Sequence, residues 1–380
     1  MDPLTHTLFG ASLADSGLGR RTGLATATLI VGANLPDVDF VTYFVDGDLS
    51  LWFRRGWTHG VLAWLVLPLV LTGLMVVWDR WVRRRRDPTA LPADPGTLWV
   101  LATLAVLSHP TLDWLNTYGV RFLMPFDGRW FYGDVLFIIE PILWLVLGGA
   151  VFLRHSRSPR ALVAWGVLAV LTTLAVFAGA GPVARISWVM GLITLVALRV
   201  VSPSGIAAPS PKPARVALVL FAVYVTTLMA GDALIEREVR AAWRTQGDAS
   251  AVGPIDAVIE DVMVGPLPAN PLHRDVIVVA GEHYHFFRFD WRRSPRLSRA
   301  EPASLPRLPD TPEIEAAMTA PCLRGLANWT RFPAAQVVPH DEGHTEVRLM
   351  DARYTRRPTT SFGGDSVVLD PDLQPICHPP

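Results

Sequence analysis

Charge is scarce in this 380-residue chain. Asp, Glu, Lys and Arg supply 18% of it, against about 25% in ordinary soluble domains, while 51% is hydrophobic and the mean hydropathy is +0.31. The 34 basic and 34 acidic residues cancel. No global field therefore favours nucleic acid as a partner. Cysteine is nearly absent: Cys322 and Cys377 both lie in the polar C-terminal region, where they can pair if that region faces an oxidising compartment. The N-terminal MDPLTH has neither a basic n-region nor an A-x-A site, so no cleavable signal peptide is expected. No internal repeat is present. The length allows two or three domains.

What the chain has instead is long apolar runs, from Trp57 to about Asp232, separated by short Arg-rich loops. Gly60 to Trp78 and Ala161 to Ala184 carry no charge, and Val135 to Leu153 is interrupted only by Glu140. Thr97 to Leu112, Ile186 to Leu198 and Val216 to Gly231 add three more runs; Arg185, Arg199 and Arg215 can snorkel from the last two. A helical hairpin is expected before these, from Pro3 to about Gly17 and from Thr22 to about Asn34, because Asp2 can cap and Pro3 suits a first helical position. The expected fold is a membrane α-helical bundle of about 6–8 transmembrane helices with a smaller extramembrane C-terminal domain, α/β or mostly β. Its parts are residues 1–153, further transmembrane helices at 154–234, and a C-terminal domain at 235–380.

Orientation follows from arginine. With the Arg80 to Arg86 loop in the cytoplasm, thirteen Lys and Arg residues fall on that side and five on the other. An inner-membrane, multi-pass protein with an extracytoplasmic C-terminal domain is expected. In that domain, Asp275 to Trp291 alternates like strand and Val347 to Tyr354 suggests another. Ser294 to Pro312 reads as an irregular loop and Val201 to Pro213 as a linker. His283, His285, His340 and His344 read as surface histidines.

Four polar motifs interrupt the apolar half: DPLTHT (Asp2 to Thr7), NLPDVD (Asn34 to Asp39), RGWTHG (Arg55 to Gly60) and SHPTLDWLNTYG (Ser108 to Gly119). The topology above puts all four at the outer membrane face. Asp2 and His6 are four apart, as are His109 and Asp113, so each pair can share a helix face, with Asn116 seven beyond His109. Asp37 and Asp39 would point to one side in extended chain. Alone, Asp2 is better read as a helix cap, and Thr5 and Thr58 as caps or hydrogen-bond partners of the adjacent histidines. Jointly, imidazole and carboxylate donors suit one or two divalent ions, Zn, Mn or Fe, and burying them at a membrane surface is costly without pairing or metal. Glu140 and Asp134 are candidates for a general base or for orienting a ligating histidine; the alternative for Glu140 is pairing with Arg121 or Arg129.

Together these motifs resemble the YdjM/YbcI-type family of bacterial inner-membrane proteins assigned as metal-dependent hydrolases. The resemblance covers about residues 1–153. It is carried by Asp2, Thr5-His6, Gly10, Pro36-Asp37-Val38-Asp39, Arg55 to His59, His109, Asp113 and Asn116 to Gly119. It implies a membrane-bound hydrolase with His6, Asp37, Asp39, His59, His109 and Asp113 as metal ligands. The family's later acidic-Pro step, where Asp is expected, is Glu140-Pro141 here. A phosphoester or lipid-linked substrate would suit such a site, with the bilayer as surroundings. The rival reading is a non-catalytic membrane protein whose His/Asp site is structural or handles metal, and whose C-terminal domain binds a partner.

Overall fold

A computed structural model describes residues 1–201, 210–244, 257–357 and 362–377. The chain forms two compact units. The first comprises Met1–Val38, Arg55–Ala230 and Pro266–Pro271; the second comprises Asp39–Arg54, Gly231–Gly265 and Leu272–Pro380. Most of the expected Val201 to Pro213 linker lies outside the described residues.

The first unit is helical. Helix α1 (Pro3–Asp15) starts where Asp2 accepts the amide and hydroxyl of Thr5, with Pro3 in the first turn. Helix α2 (Ala25–Gly32) leads into a 3-10 stretch at Leu35–Phe44, and α3 (Gly47–Phe53) belongs to the second unit. Helix α4 (Val61–Trp78) continues through a π turn at Asp79–Arg83 into α5 (Arg84–Arg86). Then come α6 (Pro95–Trp114), an irregular segment, α7 (Pro141–His155), α8 (Pro159–Gly179), α9 (Pro182–Val201) and α10 (Lys212–Arg244). Helix α1 packs against α2 and α7, and α6 packs against α2 and α4. Two glycines make these crossings close. A Cβ on Gly10 would lie 2.7 Å from the Leu29 carbonyl oxygen, and one on Gly32 would lie 2.8 Å from Ala105 Cβ.

Among the described residues, four helices are long and apolar enough to cross a membrane: Val61–Arg86, Pro159–Gly179, Pro182–Val201 and Lys212–Arg244. Their side chains face outward, as lipid-facing ones do; Leu65, Val163 and Val219 are each more than 60% exposed. The expected count of 6–8 spans is not supported. Helices α1 and α2, at 13 and 8 residues, reach only about 20 and 12 Å, and α7, at 15 residues, about 22 Å, against a hydrocarbon core of about 30 Å. Helix α6 has 20 residues, but Leu98, Ala102, Ala105 and Val106 are buried against protein. A run of apolar residues reads alike whether protein or lipid covers it.

The basic loops gather at one end of this unit. Arg154 pairs with Asp15 at 2.9 Å, Arg215 Nε donates to the Ser16 carbonyl, and Arg199 donates to Ser156. His6 and Asp15, nine residues apart on α1, are about 14 Å apart along its axis. The histidine motif and the arginine loops thus occupy opposite ends of the helix.

The second unit has two four-stranded antiparallel sheets. One orders β1 (Ile259–Leu267), β2 (Asn270–Ala280), β3 (His283–Asp290) and β4 (Leu297–Pro306). After α11 (Pro312–Thr319) and α12 (Arg324–Trp329), the other orders β5 (Pro333–Pro339), β6 (Thr345–Asp351), β7 (Gly364–Leu369) and β8 (Pro375–Ile376). The first sheet is covered on both faces. Val276, Val278 and Phe287 pack with Ile235, Val239 and Trp243 of α10, whereas Ile277, Val279 and Phe286 pack with Phe332, Ala334 and Met350. That explains the unbroken apolar run in β2. The C-terminal domain is therefore antiparallel β-sheet with short helices. Part of the expected loop at Ser294 to Pro312 is strand β4; being at a sheet edge, it tolerates Pro302, which lacks an amide donor. Asp48 of α3 accepts the amides of Gly325 and Leu326 at the start of α12. Cys322 and Cys377 form a disulfide.

Candidate metal centre

Four side chains of the first unit converge. One ligand atom each from Asp37, His59, His109 and Asp113 lies within 4.8 Å of all the others. Each polar motif delivers its residue by a local device. Asp37 sits in the 3-10 turn after α2, His59 one residue before the cap of α4, and His109 and Asp113 one turn apart on α6. The two histidines and Asp113 are fully buried, and the side chain of Asp37 is 16% exposed.

The spacing suits a small cation. His59 Nε2 and His109 Nε2 are 3.1 Å apart. Asp113 Oδ2 is 3.3 Å from the former and 3.5 Å from the latter, and Asp37 Oδ1 is 3.9 and 3.5 Å from the same pair. Donors about 2.0–2.1 Å from a tetrahedral ion stand about 3.3–3.4 Å apart, so these five separations bracket such an edge. Orientation fits as well. His109 Nδ1 is 2.7 Å from the Ala33 carbonyl oxygen, which can only accept, so Nδ1 carries the proton and Nε2 turns its lone pair to the cluster. His59 Nδ1 meets Thr58 Oγ1 at 2.9 Å. Asp113 Oδ2 is buried and receives no hydrogen bond among the described residues.

Electrostatics keep the donors in their ligating forms. Burial lowers His109 to about 4 despite the opposing hydrogen bond and charge of Asp37. Burial would raise Asp37, but the His109 hydrogen bond and the neighbouring imidazoles hold its carboxyl well below the usual range. His6 is lowered by burial, then by His109 and the Met1 amine.

The other expected residues fall elsewhere. His6 stacks on His109, with ring centroids 3.8 Å apart, and its Nε2 is 3.2 Å from Asp113 Oδ1, the oxygen turned to Arg55. Asp39 is outside the group of four and pairs with Arg54 at 3.7 Å. Residues two apart cannot share a face in the 3-10 turn that replaces the expected extended chain. Asp2 is the cap of α1 and also accepts Trp144 Nε1. Glu140 begins α7 rather than lying inside a span; it accepts the amides of Ile142 and Ala269, since Pro141 is a natural first helical residue. Asp134 is half-buried in the segment between α6 and α7, at a positive φ of 56°.

Sequence reasoning gave Arg55 no role in the site, counting it as an outer-face charge and as part of the RGWTHG motif. The guanidinium is 4% exposed, donates to Asp113 Oδ1 (3.1 Å), Asn116 Oδ1 (3.0 Å) and the Gly119 carbonyl (3.3 Å), and lies over Tyr118. The Met1 amino group also contacts Asp113 Oδ1. The available signal was an arginine within the RGWTHG motif itself.

Residues 1–183 match the family described as YdjM inner membrane protein. An uncharacterized protein of Bacillus subtilis (strain 168), YfhP, is 25% identical over 153 residues, covering 38% of this chain and 43% of the relative. The chain thus matches less than half the length of this relative. No solved structure matches. Over residues 1–183 the chain is thus similar to the YdjM inner membrane protein family, and it carries four helices of membrane length.

Proposed function

We propose that this inner-membrane protein is a metal-dependent hydrolase whose centre holds one divalent ion between His59, His109, Asp37 and Asp113. The single observation that carries the reading is the pair of buried imidazoles aimed at two carboxylates at ligand spacing. Two nitrogens and two oxygens suit zinc, with manganese or iron as alternatives. A single ion is favoured because the second oxygen of Asp113 is already engaged by Arg55 and His6. His6 then acts by positioning Asp113. The ion supplies Lewis acidity toward a phosphoryl or carbonyl oxygen.

Asp37 alone among the four donors is reached by solvent, so substrate approaches from its side. Asp134 is the remaining candidate for a general base, whereas the cap and amide contacts of Glu140 give it a holding role. His59 lies just before a membrane-length helix, which suits a phosphoester or lipid-linked substrate at the bilayer surface. The end with the arginines would face the cytoplasm under the positive-inside rule, leaving the centre at the outer face.

One observation favours a second reading. Four protein donors already complete a tetrahedron, as in structural sites, whereas catalytic sites keep a position open. Hydrolysis of p-nitrophenyl phosphate and of phospholipid by the zinc-loaded full chain, compared with a His59→Ala variant, separates the two. Activity lost in the variant supports catalysis. Zinc bound by the wild type without hydrolysis of either substrate supports a structural ion.

A further inference from the structure

The first unit also holds a partly open apolar cavity of about 270 Å³. Leu8 of α1, Trp144 and Gly148 of α7, Trp165 and Gly166 of α8, and Trp188 of α9 line it. Two of these helices, α8 and α9, are of membrane length and apolarity, so the cavity lies at hydrocarbon depth. From Trp144 to Phe152, both of which line it, it runs about 12 Å along α7. A slot of that length between packed helices, lined almost wholly by apolar side chains, suits one extended hydrocarbon tail. An apolar cavity of this kind stays dry, and in a bilayer the available apolar filler is lipid.

The two ends of the cavity differ in charge. Toward the arginine end, the lining residues Leu162 and Val196 stand two residues after Arg160 and three before Arg199. Arg157 and Arg160 are exposed and, among the described residues, take no ion-pair partner; Arg199 ties α9 to Ser156. The other end, near Trp188, has Arg185, stacked on Phe177. Three arginines against one set the polarity.

We infer that this cavity binds one acyl chain of an anionic phospholipid whose headgroup is held by Arg157, Arg160 and Arg199, at the end of the unit away from the metal centre. The bound molecule is a resident lipid rather than a substrate, so the inference does not depend on hydrolysis. Basic residues at such a surface each contribute about fivefold in preference for anionic lipid.

The lining tryptophans provide the test. The full chain is reconstituted into phosphatidylcholine vesicles containing either phosphatidylglycerol or phosphatidylcholine brominated on the acyl chains, and tryptophan quenching is compared at equal brominated fraction. Brominated phosphatidylglycerol should quench more strongly. Arg157→Gln with Arg160→Gln, two exposed changes that spare the fold, should reduce the apparent preference by tenfold or more. Gly166→Leu places a side chain where a Cβ meets nothing within 4 Å, and should remove the excess quenching while leaving the fold intact. Equal quenching by both lipids in the wild type, or excess quenching that survives Gly166→Leu, would overturn the assignment.

Discussion

Replacing Arg55 by Met would expose how the centre is held. The side chain is 4% exposed, and its guanidinium satisfies three acceptors: Asp113 Oδ1, Asn116 Oδ1 and the Gly119 carbonyl. Asp113 is fully buried, so removing its cation leaves a carboxylate with less compensation in a dry environment. Breaking a buried ion pair by removing one partner costs about 3–5 kcal/mol. Losing only the hydrogen bonds to Asn116 and Gly119 would cost about 1–3 kcal/mol for each acceptor left unsatisfied. The ion-pair cost dominates if Asp113 stays ionised, so we expect a loss of about 3–5 kcal/mol. Arg55→Lys keeps the charge but not the fork and should recover part of it. Thermal unfolding of the purified chain in detergent, followed by tryptophan fluorescence with and without added zinc, measures both. Added zinc should narrow the gap, because an ion on Asp113 Oδ2 replaces some of the missing positive charge. A loss below about 1 kcal/mol for Arg55→Met would refute the idea that this arginine holds Asp113.

Three further outcomes are expected. Gly10→Ala forces a Cβ to within 2.7 Å of the Leu29 carbonyl; overpacking of about 1–3 kcal/mol should lower the unfolding temperature, and an unchanged temperature would mean that α1 and α2 separate freely. In the second unit, hydrogen bonds from Arg292 lower Asp290 to about 2, and the Arg348 hydrogen bond lowers Glu346 to about 2, both below ordinary values of 3.8 and 4.5. Depressed carboxylates stabilise the folded form above their unfolded values and lose that contribution as pH falls through the folded ones. Hydrogen-exchange protection in β3 and β6, taken relative to the intrinsic rate at each pH, should therefore fall between about pH 4.5 and 2 and stay flat above, whereas a loss of protection confined to higher pH would contradict the pairing. Cys322→Ser opens a disulfide whose cysteines are 55 residues apart, so loop entropy of about 14 cal/mol/K predicts about 4 kcal/mol lost in urea unfolding of β5–β8; no loss would mean that the bond constrains nothing.

Much of the centre was legible because its chemistry is written in short motifs that resist dilution. A His four residues before an Asp on a helix, and a His at the start of an apolar run, keep their geometry in most packings. Counting arginines predicts one face for the four motifs, and the fold places the contacts of Arg154 and Arg215 at the opposite end of α1 from His6, even though fewer helices are long enough to span. The span count failed where burial in protein imitates burial in lipid, as at α6, and where helices proved short, as at α2. Asp39 falls outside the group of four for a local reason, since residues two apart do not share a face of a 3-10 turn. Arg55 was given no role in the site because arginine near a membrane is read first as a topology signal; its role emerges only once Asp113, 58 residues later, lies beside it. Glu140 looked intramembrane because Val135 to Leu153 is apolar on both sides, whereas the Glu-Pro step marks a helix start.

The most direct test of the account is metal analysis of the purified full chain by mass spectrometry, alongside an Asp37→Ala, His59→Ala double variant shown by circular dichroism to keep its helices. The account predicts about one equivalent of zinc, manganese or iron per wild-type chain and a several-fold lower content in the variant. Equal metal content in the two proteins would contradict it.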